Sequence, residues 1–255
     1  MEEAHFELHA SIEDRHWWFA GRRRVLRALV RECVPPGGGR TVVDVGCGTG
    51  ANVAAFSDEY VAVGVDPSAQ AVARARARFP DVRFLAGDAR RVARRELAEA
   101  AAVLLTDVLE HVPEDGELLG GILEAMSAGS VLLVTVPAHP ELWSQHDLSF
   151  GHLRRYTPER LSTLWQGRPA AVELLSYFNA RLYPLARAVR AWARRTGFAP
   201  GPEGTDFVYP PRPANAALAR IFAGETRRLV RLLRGDARPY ATGLSLIALL
   251  RRTPV

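Results

Sequence analysis

Thr41-Val42-Val43-Asp44-Val45-Gly46-Cys47-Gly48-Thr49-Gly50 decides how the rest of this 255-residue chain is read. Its first five residues are a mostly β-branched run, the composition of a strand buried on both faces. Glycines then stand at every second position, and Ala51-Asn-Val-Ala-Ala55 continues as a stretch of helical composition. Strand, glycine turn and helix in that order bring bare backbone and a helix start around one concavity.

Working outward, the same alternation repeats. Val61 to Val65 is a second strand ending at Asp66, and Pro67-Ser68 opens a helix through Phe79. Val82 to Ala86 gives a third strand ending at Gly87-Asp88, Ala102 to Thr106 a fourth, and Ser130 to Val136 a fifth, with a helix from Asp115 to Met126 between the last two. Ala171 to Phe178 and Thr242 to Leu250 read as two more strands. Upstream, Trp17 to Cys33 has helical periodicity and Pro35-Pro-Gly-Gly-Gly39 is a linker; downstream, Thr157-Pro158 starts a helix to Trp165. About 60 residues separate the last two strands, too many for a hairpin. They hold two arginine-rich helical stretches, Leu182 to Arg195 and Ala214 to Arg234, around the Pro/Gly-rich piece Pro200 to Pro213. The expected fold is α/β: a doubly wound, seven-stranded, mostly parallel sheet with a helical insertion before the last strand. The expected division is a helical lid over 1–40, a cofactor-binding core over 41–178, a helical cap over 179–240 and a final core strand over 241–255. Ligands of such sheets bind at the carboxyl ends of the strands.

Composition narrows the chemistry. Hydrophobic residues make up 48% and charged residues 24%, which fits a globular chain and excludes wholesale disorder. All 33 basic residues are arginine, so PLP catalysis and P-loop ATP hydrolysis lack their lysine. Cys33 and Cys47 form no framework, the N-terminus has no export-signal pattern, and a reducing cytoplasm is the expected location. No apolar run is long enough to span a membrane. Net charge is +5, unevenly spread: from Gly151 onward 18 arginines stand against six acids. Such a surplus is read mainly as solvated helix faces, with a membrane surface or RNA as further readings.

Two cofactor classes fit the glycine turn. Gly46-x-Gly48-x-x-Ala51 with Asp66 twenty residues after Gly46 matches a dinucleotide fingerprint, the signature of a nicotinamide-dependent oxidoreductase. Asp44 before the turn, the Gly46-x-Gly48-x-Gly50 spacing and a further acid, Asp88, at the third strand end point elsewhere. Here the chain resembles the class I S-adenosylmethionine (SAM)-dependent methyltransferases, through Val43 to Gly50, Gly64-Val-Asp-Pro-Ser68, Gly87-Asp-Ala89, Thr106-Asp-Val-Leu-Glu-His-Val112 and Leu133-Val-Thr-Val-Pro137. These pieces run in the family's order across Thr41 to Pro137. His16-Trp-Trp-Phe19 with Arg22 and Arg23, Pro137-Ala-His-Pro140, Trp143, His146-Asp147, Gly151-His152 and Arg154-Arg-Tyr-Thr157 are similar to a bacterial subgroup of small-molecule methyltransferases, related in form to ubiquinone-type O-methyltransferases. The resemblance implies SAM as cofactor and a Rossmann-like methyltransferase fold.

The cofactor residues follow. Gly46, Gly48 and Gly50 let backbone approach the methionine moiety, Asp66 accepts the ribose hydroxyls and Asp88 the adenine amine. By resemblance Asp44 lies near the ligand's ammonium group; Pro67, Ala89 and Asp107 complete the strand-end set, and Trp18 and Arg22 are lid candidates. The segment Arg90-Arg-Val-Ala-Arg-Arg95 departs from the family in lacking the acidic and aromatic residues common there.

SAM carries its methyl on a sulfonium, so a base is needed only for a protonated nucleophile. Catalytic candidates are His111, after the fourth strand, and His146, His152 and Tyr156, in the loop after the fifth. Asp107, Glu110 and His111 also resemble the metal set of some magnesium-dependent methyltransferases, with His139 or His146 as a fourth ligand; the reading adopted is no metal. The expected activity is methyl transfer to a small molecule, O-methylation ahead of N or C, by a monomer or homodimer with no DNA partner. The rivals are the oxidoreductase and a SAM-fold binding module.

Overall fold

The computed structural model describes residues 12–196 and 209–254. The first eleven residues of the expected lid, Phe198, most of the Pro/Gly-rich piece after Pro200, and Val255 lie outside the described residues.

The apolar runs form seven strands: β1 Thr41–Val45, β2 Val61–Asp66, β3 Arg83–Ala86, β4 Ala100–Thr106, β5 Val131–Pro137, β6 Ala170–Phe178 and β7 Ser245–Arg252. They make one sheet in the order β3-β2-β1-β4-β5-β7-β6. Strands β1 to β5 pair in parallel, and β7 alone is reversed, antiparallel to both β5 and β6. The chain runs outward from β1 to β3 and then crosses back to β4 beside β1. That reversal opens a crevice above the carboxyl ends of β1 and β4.

The helices are α1 Trp17–Cys33, α2 Ala51–Ala54, α3 Ala69–Arg78, α4 Ala89–Val92, α5 Arg94–Glu99, α6 Asp115–Ala125, α7 Gln145–Ser149, α8 Pro158–Ser162, α9 Tyr183–Thr196, α10 Arg212–Ala223 and α11 Thr226–Leu233. Ser68 caps α3, its hydroxyl accepting from Ala71 N at 3.2 Å. One apolar layer packs Val43, Val103, Leu105, Leu119, Ile122 and Leu123. The other packs Leu26 and Leu29 of α1, Leu104 and Leu133 of the sheet, Phe222 of α10 and Leu229 of α11. Each buried leucine or phenylalanine contributes about 1.5–3 kcal/mol.

The single helical stretch expected over Ala214 to Arg234 is two helices. The break falls at Gly224-Glu225, where the buried Glu225 turns inward and accepts the N–H of Arg181 at 2.8 Å. Helices α10 and α11 of the inserted segment pack on α1, and a Cβ on Gly21 would come within 2.6 Å of Phe222. Glycine at position 21 lets α1 and α10 close on each other. From this region it is chiefly α9 that covers the crevice. Among the described residues no helix is long and apolar enough to cross a membrane.

Candidate active site

The crevice at the β1/β4 reversal is a cavity of about 710 Å³. Its floor is the turn after β1. Gly46, Gly48 and Gly50 have φ of +75°, +54° and +91°, left-handed values that disfavour side chains. A Cβ on Gly46 would lie 2.4 Å from Val108 and one on Gly50 2.8 Å from Phe84, whereas one on Gly48 would meet nothing within 4 Å. Two glycines thus serve packing, and Gly48 leaves open space for a ligand. Asp66 fixes this turn. Its Oδ2 accepts from Gly48 N at 2.9 Å and its Oδ1 from Ser68 N at 2.8 Å, leaving acceptor lone pairs for a ligand's hydroxyls. Burial raises its carboxyl above the usual range.

Asp44 lies under the turn, fully buried, with neither carboxylate oxygen hydrogen-bonded among the described residues. Burial pushes it up to about 7, with the Arg22 charge opposing. An orphaned carboxylate is costly unless a cationic or donor group completes it. The cradle therefore fits a ligand carrying an ammonium group near the turn and hydroxyls near Asp66. Arg22 of α1 pairs with Asp107, its guanidinium 4.2 Å from the centre of the Trp18 ring. Thr135 Oγ1 donates to the other Asp107 oxygen at 3.1 Å, and Asp107 sits at φ +55°. Trp17, Trp18 and Phe19 all line the cavity, and Trp17 also packs edge-on against Phe222.

Of the predicted cofactor residues, Gly46, Gly48, Asp66, Pro67, Asp107, Trp18 and Arg22 line the cavity, and Asp44 and Gly50 support it from behind. Asp88 and Ala89 do not line it. Asp88 instead caps α4, and the Arg90 side chain grips it at 2.7 and 3.1 Å, holding its carboxyl below the usual range.

The opposite wall holds the titratable groups. His111, in a 3-10 turn after β4, and His152 meet edge to face at 4.8 Å between ring centres. His146 packs tilted against Phe150, 4.7 Å between ring centres, and also lines the cavity. His152 Nδ1 is 2.9 Å from Asp147 Oδ1, which accepts from Arg155 Nε as well, at 2.7 Å. Burial opposes ionisation of Asp147, but these two partners override it and hold the carboxyl far below its ordinary value. Burial and the neighbouring His152 lower His111 to about 4, so it is neutral at physiological pH. Glu110 is fully buried with no partner for either oxygen among the described residues, and burial together with Asp107 raises it well above the usual range. Glu110, His111 and His152 present ligand atoms within 4.8 Å of one another, the set here that would hold a metal ion. His139 is elsewhere, between Glu141 and Thr242.

Tyr156 is a correction. Its side chain is wholly buried and its hydroxyl donates to Asp115 Oδ2 at 2.8 Å, so it does not reach the cavity. Burial and Asp115 raise its phenol, which removes it as a proton carrier. Its backbone instead bridges Ala138 and anchors the loop bearing His152. Sequence reasoning also missed wall residues: Glu13, Asn52 and Thr106 near the turn, and Leu182, Leu185, Ala186 and Val189 at the α9 side. Only the apolar spacing within α9 signalled the last group.

Sheet order and glycine cradle together define a Rossmann-like methyltransferase fold. The methyltransferase-domain family matches residues 18–199, and the chain belongs to that family. It is 29% identical over 176 residues to the trans-aconitate 2-methyltransferase of Azoarcus sp., covering 67% of this chain and 66% of that protein, just under two thirds of its length. It is 29% identical to the demethylmenaquinone methyltransferase of Renibacterium salmoninarum over 68% of each chain. Among solved structures, the SAM-dependent methyltransferase of Mesorhizobium loti superposes with a TM-score of 0.54 at 17% identity, over 89% of this chain and 98% of that one. Phosphoethanolamine N-methyltransferase 2 of Haemonchus contortus, solved with SAM, superposes at 0.55 and 16% identity, over 90% and 52%. These two structures establish likeness of fold.

Proposed function

We propose that this enzyme methylates an oxygen nucleophile on a small organic acceptor, with His152 as the general base. The observation that carries the reading is the Asp147–His152 pair in the wall of the same cavity whose floor is the Gly48–Asp66 cradle. When bound, SAM supplies a methyl group on a sulfonium, activated for in-line attack by the acceptor. The chain's own residues then have three tasks. Asp66, held by the Gly48 N–H, places the adenosyl hydroxyls; Asp44, behind the turn, supplies the charge that draws the ammonium, and Arg22 faces the carboxylate end of the methionine moiety. Trp17, Trp18 and Phe19 close one side against water. Asp147 accepts the Nδ1 proton of His152 and so fixes the tautomer in which Nε2 takes the acceptor's hydroxyl proton. His111, neutral at physiological pH, and Glu110, whose ionisation burial and Asp107 oppose, border that proton.

The named relatives support a small-molecule acceptor, since trans-aconitate and demethylmenaquinone are both small organic molecules. The family assignment leaves the nicotinamide reading without support. A cytoplasmic location accords with the two free cysteines.

The test is incubation with methyl-labelled SAM and fractionated metabolites, followed by mass spectrometry of the labelled product. A methyl ether on a former hydroxyl is the expected result; label on nitrogen or carbon would overturn the oxygen assignment, and a methyl ester, formed from an already ionised carboxylate, would overturn the general base. With that acceptor in hand, His152→Gln should lower kcat by about 10²- to 10⁴-fold. Asp147→Asn should do the same by releasing the wrong tautomer, with SAM affinity intact in both variants.

A further inference from the structure

Helix α9 presents a face that the methyl-transfer chemistry does not use. Leu185, Val189 and Trp192 stand at i, i+4 and i+7, one stripe along the helix. They are 57%, 39% and 53% exposed. Leu185 and Val189 also line the cavity, so the stripe begins at its rim. The 145–153 loop, which supplies His146, Phe150 and His152 to the same cavity, exposes two more large apolar side chains, Leu148 at 57% and Leu153 at 50%. The two rims are joined where Arg190 Nη1 donates to Leu142 O at 3.2 Å, just before α7. Five of the ten large exposed apolar residues of the described structure therefore fall on two tied segments around one opening.

Charge selects what covers this face. The α9 sequence includes Arg187, Arg190, Arg194 and Arg195 and no acid, within a C-terminal part where 18 arginines stand against six acids. Along the helix Arg195 stands beside Trp192, and Arg187 and Arg190 stand on the polar face behind the apolar stripe, the arrangement that suits a helix lying in an interface of acyl chains and anionic headgroups. An ordinary protein surface would have to supply acids beside an apolar strip, whereas an anionic bilayer supplies both.

We propose that α9, with Leu148 and Leu153 beside it, seats the enzyme on an anionic lipid surface so that the cavity mouth opens toward the bilayer. In that pose the stripe sits at headgroup depth and the exposed Arg187 and Arg195 reach lipid phosphates. An acceptor partitioned into the bilayer enters under α9 without crossing water.

The test is co-sedimentation of the full chain with phosphatidylcholine vesicles, with and without phosphatidylglycerol. Binding is expected only to the phosphatidylglycerol vesicles, weakening as salt is raised. Arg187→Ala should bind about fivefold more weakly. Trp192→Glu should bind at least as weakly, while its SAM affinity by titration calorimetry and its melting temperature stay those of the parent, which separates lost docking from lost folding. Failure to bind anionic vesicles, equal binding to both compositions, or binding untouched by Trp192→Glu and Arg187→Ala would overturn the proposal. So would a solution dimer that Trp192→Glu converts to monomer, which would give the face to a second copy instead.

Discussion

Asp44 and His111 face each other's problem from opposite sides. Burial raises Asp44 to about 7 and lowers His111 to about 4, so both resist charge in the folded chain. For Asp44 the stabilisation is complete below about pH 3.9, its unfolded value, and is lost as pH rises through about 7. For His111 it is complete above about pH 6.5 and lost as pH falls toward 4. Asp44→Asn should therefore raise the melting temperature of the ligand-free enzyme at pH 8, by about 2–4 °C for each kcal/mol recovered, as scanning calorimetry would read. The same substitution should weaken SAM binding by about 10- to 100-fold. In the parent enzyme SAM affinity should rise with pH through 7, because an ammonium favours the ionised carboxylate, and that rise should vanish in Asp44→Asn. A titration-calorimetry pH series showing equal slopes for both proteins would refute this role. The sequence marked Asp44 by its place before the glycine turn. Its charge state depends on how many atoms pack over β1, which no local pattern reports.

At the scale of the element, the glycine turn divides labour in a way that spacing alone hides. Gly46 and Gly48 look equivalent in sequence, and both take positive φ. Only Gly46 has Val108 against it; Gly48 faces the open cavity. Gly46→Ala should lose the left-handed penalty of about 1–2 kcal/mol and the clash besides, lowering the melting temperature clearly. Gly48→Ala should lose about 1 kcal/mol yet reduce SAM affinity at least as strongly as Gly46→Ala, since its Cβ occupies the ligand's approach. Comparable stability losses with SAM affinity intact would show that the turn does not cradle the cofactor. The central strands β1, β4, β5 and β7 were legible because residues buried on both faces leave nearly unbroken apolar runs. The split between α10 and α11 was not, because it rests on Glu225 reaching Arg181, an interaction 44 residues distant.

At the scale of the whole molecule, ligand binding and stability are linked. S-adenosylhomocysteine at about 100 times its Kd should add ~2.7 kcal/mol, a rise of roughly 5–10 °C for a chain of this size. NADH should give none. A rise with NADH and none with S-adenosylhomocysteine would reverse the cofactor assignment. What the chain's order of residues determined by itself was the alternation of strands and helices, the glycine turn and the acids at strand ends, because each follows from backbone preference and burial within a few neighbours. Packing decided the rest. It placed Asp147 on His152 and left the Glu110 carboxylate with no hydrogen-bond partner among the described residues. It buried Tyr156 on Asp115 rather than in the cavity, turned Asp88 to Arg90, and laid α10 and α11 on α1 so that α9 covers the site. Those outcomes depend on contacts between distant segments, where solvent exclusion and pairing geometry set a side chain's role.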